Sequence, residues 1–446
     1  MRATARLTLA TAACALLVSA ASGALTVPAQ AQTPSSALPG MGTEPALPAP
    51  DTSHQAKNYS RQIGWPDSKT PKAPAGFTVT RYAGDLDYPR WMHALPNGDV
   101  LVAEARTLPK PPKDEAEREK AELQARSGST GPSANRITLL RDADGDGRVE
   151  ERFVLLDGLK QPFGMLALSG ALYVANTDGV MRFPFAVGQT RITAKGETIL
   201  NLPTGGYNNH WTRNIIANRD GSKLYVSVGS ASNNGEYGLA EETRRANILE
   251  INPDGSGERV YAAGLRNPNG MDWEPVTGAL WTVVNERDNI GDDLVPDYMT
   301  AVKEGGFYGW PFAYFGPNED PRMKGQRPDL VRNTLAPDYA LGPHTASLGL
   351  VFYTASSFPE RYRGGVFIGQ HGSWNRAEFS GYKVVHVPFA NGRPSGPPED
   401  FLTGFMADGN KGETHGRPVG VAMDATGALL VADDAGDTIW RVAPSR

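Results

Sequence analysis

Cysteine is almost absent from this chain, since Cys14 is the only one among its 446 residues. Cys14 lies in an N-terminal segment in which two arginines precede an apolar run, and Ala29-Gln30-Ala31 offers small residues at both cleavage positions. We therefore expect residues 1–31 to be a signal peptide, cut after Ala31, and the product to be periplasmic or secreted. A lipoprotein cysteine is the less favoured alternative, because the residues before Cys14 lack a large aliphatic side chain. A mature chain without cysteine has neither disulfide bonds nor a C-x-x-C-H haem site.

The chain also lacks a basic block and a second long apolar run. Its 44 Lys and Arg residues stand against 49 Asp and Glu residues, which gives a formal net charge of -5. This balance gives no support to binding of nucleic acid or of an anionic membrane. No stretch after the leader approaches the roughly 20 apolar residues of a membrane helix. We therefore expect a small-molecule partner, no nucleic acid and no membrane span.

Two segments are poor in large aliphatic residues. Residues 32–74 are rich in Pro, Ser, Thr and Ala, and are predicted to be a linker or a strap. In residues 107–135, three prolines at 109, 111 and 112 precede a charged run and a Ser/Gly-rich end. Because this second segment has no apolar stripe, it predicts a short solvated helix in an insertion loop rather than a binding element.

The chain is rich in a repeated unit in which a turn with glycine leads into an apolar run. The six runs begin at Val100, Leu172, Leu224, Leu280, Val366 and Leu429. Their spacing leaves room for a four-stranded sheet at each repeat, whereas βαβ units would need amphipathic helices between the strands. We predict an all-β fold, a six-bladed β-propeller with insertion loops over residues 75–446.

Polar residues follow five of the six runs. They are Glu104, Asn176, Asn285 to Arg287, Gln370 with His371, and Asp433 with Asp434. Each could simply be a turn former at the end of a strand. Because equivalent strands of a propeller end at the same rim, the recurrence favours a shared polar site around one cavity.

Five segments are dense in polar and aromatic residues: 206–213, 263–270, 285–293, 369–376, and 414–418 with 433–434. With the later Gly-Gly-Phe-Tyr-Gly-Trp-Pro run at 305–311, they resemble the glucose/sorbosone dehydrogenase family over about residues 76–442. The resemblance implies a six-bladed propeller with pyrroloquinoline quinone (PQQ) and calcium, which oxidises an aldose or sugar aldehyde by hydride transfer to PQQ. Without a haem motif, electrons must leave to a separate protein or a small mediator.

Cations are frequent in these segments, although the whole chain is acidic. They are His210, Arg213, Arg266, Arg287, His371, Arg376 and Arg417. Planar guanidinium groups hold carboxylates by paired hydrogen bonds, which suits a flat tricarboxylate such as PQQ. Surface ion pairs are the alternative, and this alternative is most open for Arg213, Arg287 and Arg376.

The resemblance also implies roles for individual residues. His210 matches the catalytic base that removes the substrate's hydroxyl proton, and Arg266 lies over the quinone carbonyls. The other implied cofactor contacts are Gln161, Asn209, Arg213, Asn267, His371, Arg376, Arg417 and Asp433. The chain departs from the family where Asn209 replaces an acid before the histidine and where Arg213 follows it by three residues instead of four. Residues 369–376 contain no lysine, so His371 or Arg376 is the expected substitute for the family's lysine.

Two calcium sites are predicted. By the resemblance, one uses backbone carbonyls near Asp288 and Asn289, with Glu286, Asp292 and Asp293 as nearby carboxylates. The other is the loop Asp142-Ala-Asp144-Gly-Asp146-Gly147, which matches the first half of an EF-hand. Its twelfth position is Phe153, so we expect a calcium-stapled loop that is not an EF-hand, with a solvated acidic turn as the alternative.

Two other functions stay open from the sequence. A calcium-dependent hydrolase such as a sugar lactonase could ring a central calcium with Asn209, Asn267, Glu286 and Asp433. A non-catalytic propeller could bind a sugar or a partner protein. The arginine cluster favours the dehydrogenase, because a lactonase has no tricarboxylate to hold and a binding module needs neither His210 nor a metal turn.

Overall fold

The computed structural model describes residues 40–53 and 56–445. The predicted signal peptide, its cleavage after Ala31 and the first residues of the predicted linker lie outside the described residues. The longest helix in the described part has 12 residues, and none of the helices there is long and apolar enough to cross a membrane.

The described residues form six main antiparallel sheets, so the predicted all-β class is confirmed. We number the sheets along the chain and list their strands in order of pairing. Sheet 1 contains Pro89–Ala94, Val100–Glu104, Arg136–Arg141 and Glu151–Leu156; sheet 2 contains Met165–Leu168, Ala171–Asn176, Gly179–Pro184 and Glu197–Asn201; sheet 3 contains Arg213–Ala217, Leu224–Val228, Asn247–Ile251 and Arg259–Ala263. Sheet 4 contains Asn267–Trp273, Leu280–Asn285, Pro296–Ala301, Tyr339–Pro343 and Met41–Gly42; sheet 5 contains Ser347–Phe352, Val366–Gln370, Lys383–Val387 and Glu399–Leu402; sheet 6 contains Pro418–Met423, Leu429–Asp433, Thr438–Pro444 and Phe77–Ala83.

Sheet 6 joins an early and a late part of the chain, because Phe77–Ala83 pairs with Thr438–Pro444. The first strands of the six sheets contact one another in chain order, and the first strand of sheet 6 contacts that of sheet 1. Glycine permits this close approach. A Cβ on Gly270 would lie 2.7 Å from the Leu348 carbonyl oxygen, and one on Gly420 would lie 2.8 Å from the Arg90 carbonyl oxygen. The first strands therefore surround a common axis.

The apolar core lies between neighbouring sheets. Between sheets 5 and 6, for example, Phe367 and Phe401 pack with Trp440 in one buried cluster. Each of the six predicted apolar runs is the second strand of one sheet, and each begins with a fully or almost fully buried residue. Continuous apolar runs are typical of strands that are covered on both faces.

The second strands bring the predicted polar residues to one rim. Because each second strand is antiparallel to the first, its end lies beside the start of the first strand. Thus Asn285 pairs with Asn267, Gln370 pairs with Ser347, and Asp433 pairs with Pro418. These residues are all at least half buried, so the rim is polar but largely enclosed.

Helices and short strands occupy the connections. Helix α1, Glu115–Arg126, has Asp114 as its N-cap and no buried residue, as expected for a short solvated helix. The other elements are helix Pro328–Arg332, the 3-10 turns Leu239–Glu242, Pro321–Met323 and Glu360–Tyr362, and the short strands Arg61–Gln62, Ala313–Tyr314, Asn318–Glu319, Phe389–Ala390, Arg393–Pro394, Met406–Asp408 and Glu413–Thr414.

The described part of residues 40–74 follows the surface as a strap. Met41–Gly42 extends sheet 4, and Arg61–Gln62 pairs with Glu413–Thr414. Between these two points, the Asp51 amide donates to the Ile290 carbonyl. Farther along, the Trp65 indole N–H donates to the Asp433 carboxylate over 2.6 Å. The strap therefore contacts the polar rim directly.

Candidate active site

The polar rim surrounds a cavity of about 620 Å³. This volume lies within the range of about 300 to 1,000 Å³ that is typical of small-molecule sites. The walls come from the rim of the sheets, from Tyr59 and Ser60 of the strap and from helix α1. The predicted site residues that line the cavity are Asn209, His210, Arg266, Asn267, Glu286, Asp288, Asn289, His371 and Arg417.

His210 is held in one orientation by Ser230. Its Nδ1 lies 3.0 Å from the Ser230 carbonyl oxygen and 2.9 Å from the Ser230 hydroxyl, and that hydroxyl donates to the Ser232 carbonyl over 2.7 Å. These acceptors require the proton on Nδ1. The unprotonated Nε2 then lies 3.3 Å from the amide nitrogen of Asn209, which also lines the cavity.

The surroundings of His210 keep its ring neutral. Burial, followed by the positive charge of Arg266, lowers its pKa well below the ordinary value of 6.5. The hydrogen bond from Nδ1 to Ser230 raises the pKa, but by less than these two effects lower it. A neutral imidazole with an unprotonated Nε2 is the form that can accept a proton.

Arg266 is fixed by protein groups at each of its nitrogens. Nε donates to the Asn233 carbonyl over 3.0 Å, and Nη1 donates to the carbonyls of Asn285 and Glu286 over 3.3 and 2.6 Å. Nη2 donates to the Asn233 side chain over 2.9 Å and to the Asp288 carboxylate over 3.2 Å. These contacts use all five N–H groups, so Arg266 offers the cavity a fixed positive charge and a planar face.

Arg417 reaches the same cavity from sheet 6. Its Nε donates to the His371 carbonyl over 2.9 Å, its Nη2 donates to the Gly372 carbonyl over 3.0 Å, and its Nη1 donates to Ser129 over 3.1 Å. These bonds use three of its five N–H groups. Arg417 therefore keeps hydrogen-bonding capacity that Arg266 lacks.

A second cationic group, absent from the sequence prediction, stands beside Arg417. Arg90 lines the cavity and donates to the Asp434 carboxylate over 2.7 Å. His371 donates from Nε2 to the same carboxylate over 2.9 Å. Burial and the nearby Arg417 lower the pKa of His371 to about 4, so its ring is neutral. His371 and Arg90 hold the pKa of Asp434 below its usual range against the effect of burial.

Several buried polar atoms of the cavity wall have no hydrogen-bond partner within the described residues. They are Ser60 Oγ, Tyr88 Oη, Arg90 Nε, Asn267 Oδ1 and Glu286 Oε1. Leaving a buried polar atom unpaired costs about 1 to 3 kcal/mol. Five residues in the wall of one cavity therefore each carry a buried polar atom without a partner among the described residues.

The predicted metal turn is differently arranged from the expectation. The Asp288 carbonyl accepts from Asn233 Nδ2 and from Arg322 Nη1, each over 3.0 Å, so both of its lone pairs are used. The Asp288 carboxylate lies between Arg266 and His344, which together hold its pKa below the usual range although burial raises it. Glu286 Oε1 is the carboxylate oxygen of this segment that is buried, lines the cavity and lacks a partner.

Other predicted residues of this region lie outside the cavity wall. Arg376 donates to the Asp292 carbonyl over 3.2 Å and to the Asp293 carboxylate over 2.9 Å, and the Asp293 side chain is 53% exposed. These three residues connect two surface loops. Arg287 is buried against Glu286 and Asp320, so it stabilises the turn and does not line the cavity.

Three further predicted residues support the site from behind. Arg213 donates to the His210 carbonyl over 2.6 Å and to the Asn208 side chain over 3.2 Å, so it anchors the loop that carries His210. Gln161 has φ of 46° and donates to the Arg106 carbonyl over 2.9 Å. Asp433 accepts four N–H groups, from Arg417, Gly436, Trp65 and Trp440.

The acidic loop predicted to bind calcium is separate from the cavity. Asp142, Asp144 and Asp146 each place a carboxylate oxygen within 4.8 Å of the others, and Glu150 joins them. The sequence pattern missed Glu150 because it lies outside the aspartate repeat. None of the four residues lines the cavity.

Sequence reasoning missed cavity residues that stand outside recognisable motifs. Tyr59 lies in the segment predicted to be a linker or a strap, and its ring stacks on Trp374 with the centroids 5.2 Å apart. Asn233 contacts both Arg266 and Asp288 but lies in a loop with no distinguishing pattern. Arg90 could have been found from its position, because it is the second residue of the first strand of sheet 1.

Residues 170–386 match the family model described as Glucose / Sorbosone dehydrogenase. The resemblance seen in the sequence is thereby confirmed for this part of the chain. The matched residues run from the second strand of sheet 2 to the third strand of sheet 5, and they include His210, Arg266, Asn267 and Glu286.

Two relatives and one solved structure show how far the likeness extends. An uncharacterized protein of Borreliella burgdorferi is 29% identical over 303 residues, which are 65% of this chain and 77% of that protein. The aldose sugar dehydrogenase YliI of Escherichia coli is 31% identical over 139 residues, which are 29% of this chain and about a third, 35%, of YliI. The holo form of the pyranose dehydrogenase PQQ domain from Coprinopsis cinerea has a similar fold, with a TM-score of 0.67 at 20% identity, covering 86% of this chain and 100% of that chain.

Proposed function

We propose that this protein is an exported, PQQ- and calcium-dependent sugar dehydrogenase built on a six-bladed propeller, with the six sheets as its blades. The substrate is an aldose or a related sugar aldehyde, oxidised at the anomeric or carbonyl carbon. The observation that carries the proposal is a neutral histidine, His210, that lines one cavity together with Arg90, Arg266 and Arg417.

The donor set of the cavity fits a flat tricarboxylate. Arg90 and Arg417 both keep N–H groups that no described residue accepts, and charge-assisted bonds from guanidinium to carboxylate are strong and directional. The Tyr59 and Trp374 rings supply flat surface in the same wall. When bound, PQQ supplies a quinone carbonyl carbon that accepts hydride.

The residues of this chain supply the proton transfer and the electrostatic support. Nε2 of His210 accepts the proton of the substrate hydroxyl while the hydrogen on the same sugar carbon leaves as hydride, which converts the hydroxyl-bearing carbon to a carbonyl. Ser230 holds the imidazole through Nδ1, and Arg213 holds the backbone of the same residue. Arg266 is already bonded at all five N–H groups, so it can stabilise developing negative charge without moving.

Calcium would be held by hard oxygen donors that lack other partners. Glu286 Oε1 and Asn267 Oδ1 are buried in the cavity wall and unpaired among the described residues. Calcium accepts six to eight oxygen ligands in flexible geometry. The loop with Asp142, Asp144 and Asp146 stays a separate proposed calcium site, with Glu150 added to it.

The lactonase alternative is weakened by the position of Asp433. Of the four residues it would place around a central metal, Asn209, Asn267 and Glu286 line the cavity. Both carboxylate oxygens of Asp433 instead accept hydrogen bonds from four N–H groups.

The electrons leave to an external acceptor, either a separate protein or a small mediator.

Reconstitution tests the proposal. Purified protein without cofactor is loaded with PQQ and calcium, and sugar-dependent reduction of an artificial dye is followed by absorbance. We expect dye reduction that requires both PQQ and an aldose. Sugar-dependent dye reduction that ignores PQQ, or hydrolysis of a sugar lactone in place of oxidation, would refute it.

A further inference from the structure

One aromatic side chain is exposed at the edge of the cavity. Tyr237 lines the cavity, yet 56% of its surface is exposed. The other large apolar side chains exposed in the described part of the chain are aliphatic. Exposure of an aromatic ring to water is unfavourable, so burial in the core does not explain the position of Tyr237 at the cavity edge.

Tyr237 is half of an aromatic pair that we call the tyrosine pair, Tyr207 and Tyr237. The two ring centroids are 4.6 Å apart, with an angle of 42° between the rings, and both residues line the cavity. Lys110, from the insertion loop, places its ammonium 4.6 Å from the centroid of the Tyr207 ring. The insertion loop thus supports the tyrosine pair.

The loop that carries Tyr237 is tied to the centre of the site. The amides of Asn233 and Asn234 donate to the Glu236 carboxylate over 3.1 and 2.8 Å, which fixes the turn. The Asn233 side chain accepts from Arg266 over 2.9 Å. Tyr237 follows Asn233 by four positions, so their Cα atoms are at most about 14 Å apart. Tyr237, Arg266 and His210 line one cavity, so a substrate with a second sugar ring in this cavity has Tyr237 in its wall.

Polar side chains of helix α1 line the same cavity. Lys120 and Gln124 are four residues apart and therefore lie on one face of the helix. Because α1 has no buried residue, core packing does not account for its position. An ammonium and an amide together donate and accept hydrogen bonds, as sugar hydroxyls require.

We propose that the tyrosine pair, Lys120 and Gln124 form an outer sugar subsite, which binds a neutral glycosyl unit attached to the reacting aldose. The inference rests on the proposed function and specifies its substrate as a sugar of two or more units. The C–H face of a pyranose ring packs on an aromatic ring, while its hydroxyls bond to side chains at the edge. Glu236 and Lys120 line the same cavity, so side chains of both charges are present there.

The test compares D-glucose with maltose and cellobiose as substrates of the PQQ- and calcium-loaded protein. The measured quantity is kcat/KM for each disaccharide divided by kcat/KM for glucose. Tyr237→Ala should lower this ratio about two- to tenfold, the usual contribution of one aromatic contact, and Tyr237→Phe should retain it. Lys120→Ala with Gln124→Ala should also lower it. Val276→Ala is the control, because Val276 is 72% exposed and does not line the cavity.

A binding measurement on the cofactor-free protein separates the subsite from turnover. Saturation-transfer NMR with maltose should show contacts to its second ring in the wild type and lose them in Tyr237→Ala. If wild-type protein oxidises none of the three sugars in the presence of PQQ and calcium, the proposed function fails. If the sugars are oxidised but the ratio and the NMR contacts are the same in Tyr237→Ala, the outer subsite is wrong and the proposed function stands.

Discussion

His210→Ala is the substitution from which we expect the largest loss of turnover. Its imidazole lines the cavity with Nδ1 held by Ser230, so Nε2 is the atom that can take the substrate proton. Removing a general base typically costs about 10²- to 10⁴-fold in rate. The loss should appear in kcat, measured by PQQ-dependent dye reduction at saturating sugar, while PQQ binding is retained.

The same substitution should change stability only slightly. The variant loses the hydrogen bond from Nδ1, worth about 1 kcal/mol, and the Ser230 hydroxyl keeps its bond to the Ser232 carbonyl. His93→Ala is the matched control, because His93 is half buried in sheet 1 and does not line the cavity. If His210→Ala keeps turnover within a few-fold of the wild type, as His93→Ala should, the proposed base is wrong.

The pH dependence of kcat/KM checks the same residue independently. The pKa of His210 lies well below 6.5 because burial and then Arg266 disfavour the imidazolium. A base acts when unprotonated, so activity should persist as the pH falls to 6.5 and decline only below it. Asn209→Asp places a carboxylate beside Nε2, should raise the pKa of His210, and should move the decline to higher pH. An unchanged profile in this variant would contradict the role of His210.

Three further predictions concern cofactor, metal and fold. Arg417→Ala should weaken PQQ binding about ten- to hundred-fold in a calorimetric titration, because a charged hydrogen bond contributes about 1.5 to 3 kcal/mol. Arg417→Lys should recover part of the lost affinity. If both variants bind PQQ as tightly as the wild type, Arg417 does not belong to the cofactor site. Removal of calcium by a chelator should lower the melting temperature. Glu286→Gln, at the cavity site, should abolish calcium-dependent activity. Asp144→Asn, in the separate acidic loop, should lower only the melting temperature. Asp433→Ala should lower the free energy of unfolding by about 3 kcal/mol or more in urea titration, because four buried N–H groups lose their acceptor; a loss near zero would contradict this account.

Much of the fold could be predicted because the signals are local. The run from Leu280 is a continuous apolar stretch after a glycine turn, and it is the buried second strand of sheet 4. Helix α1 lacks an apolar stripe, and it is solvated. The strap could not be predicted in detail, because Trp65 is positioned by a contact with Asp433, 368 residues later in the chain.

The candidate site also contains residues that the sequence could predict and residues that it could not. His210, Arg266 and Asn267 stand in a motif that resembles a known family, and all three line the cavity. Arg90 and Tyr59 stand in no motif, and their partners at the cavity, Asp434 and Trp374, lie far along the chain. The free oxygen of Glu286 and the occupied carbonyl of Asp288 could not be predicted, since both depend on which donors the fold places beside them.

The sequence by itself determined the class of fold and the family resemblance, because apolar runs, glycine turns and short motifs act over a few residues. Only the tertiary structure decided which cations serve the cavity. Arg376 and Arg417 are the same residue type in neighbouring motifs, but Arg376 pairs with Asp293 at the surface, whereas Arg417 is buried against the carbonyls of His371 and Gly372. The physical reason is that a guanidinium binds whichever acceptors surround it, and those acceptors come from distant parts of the chain.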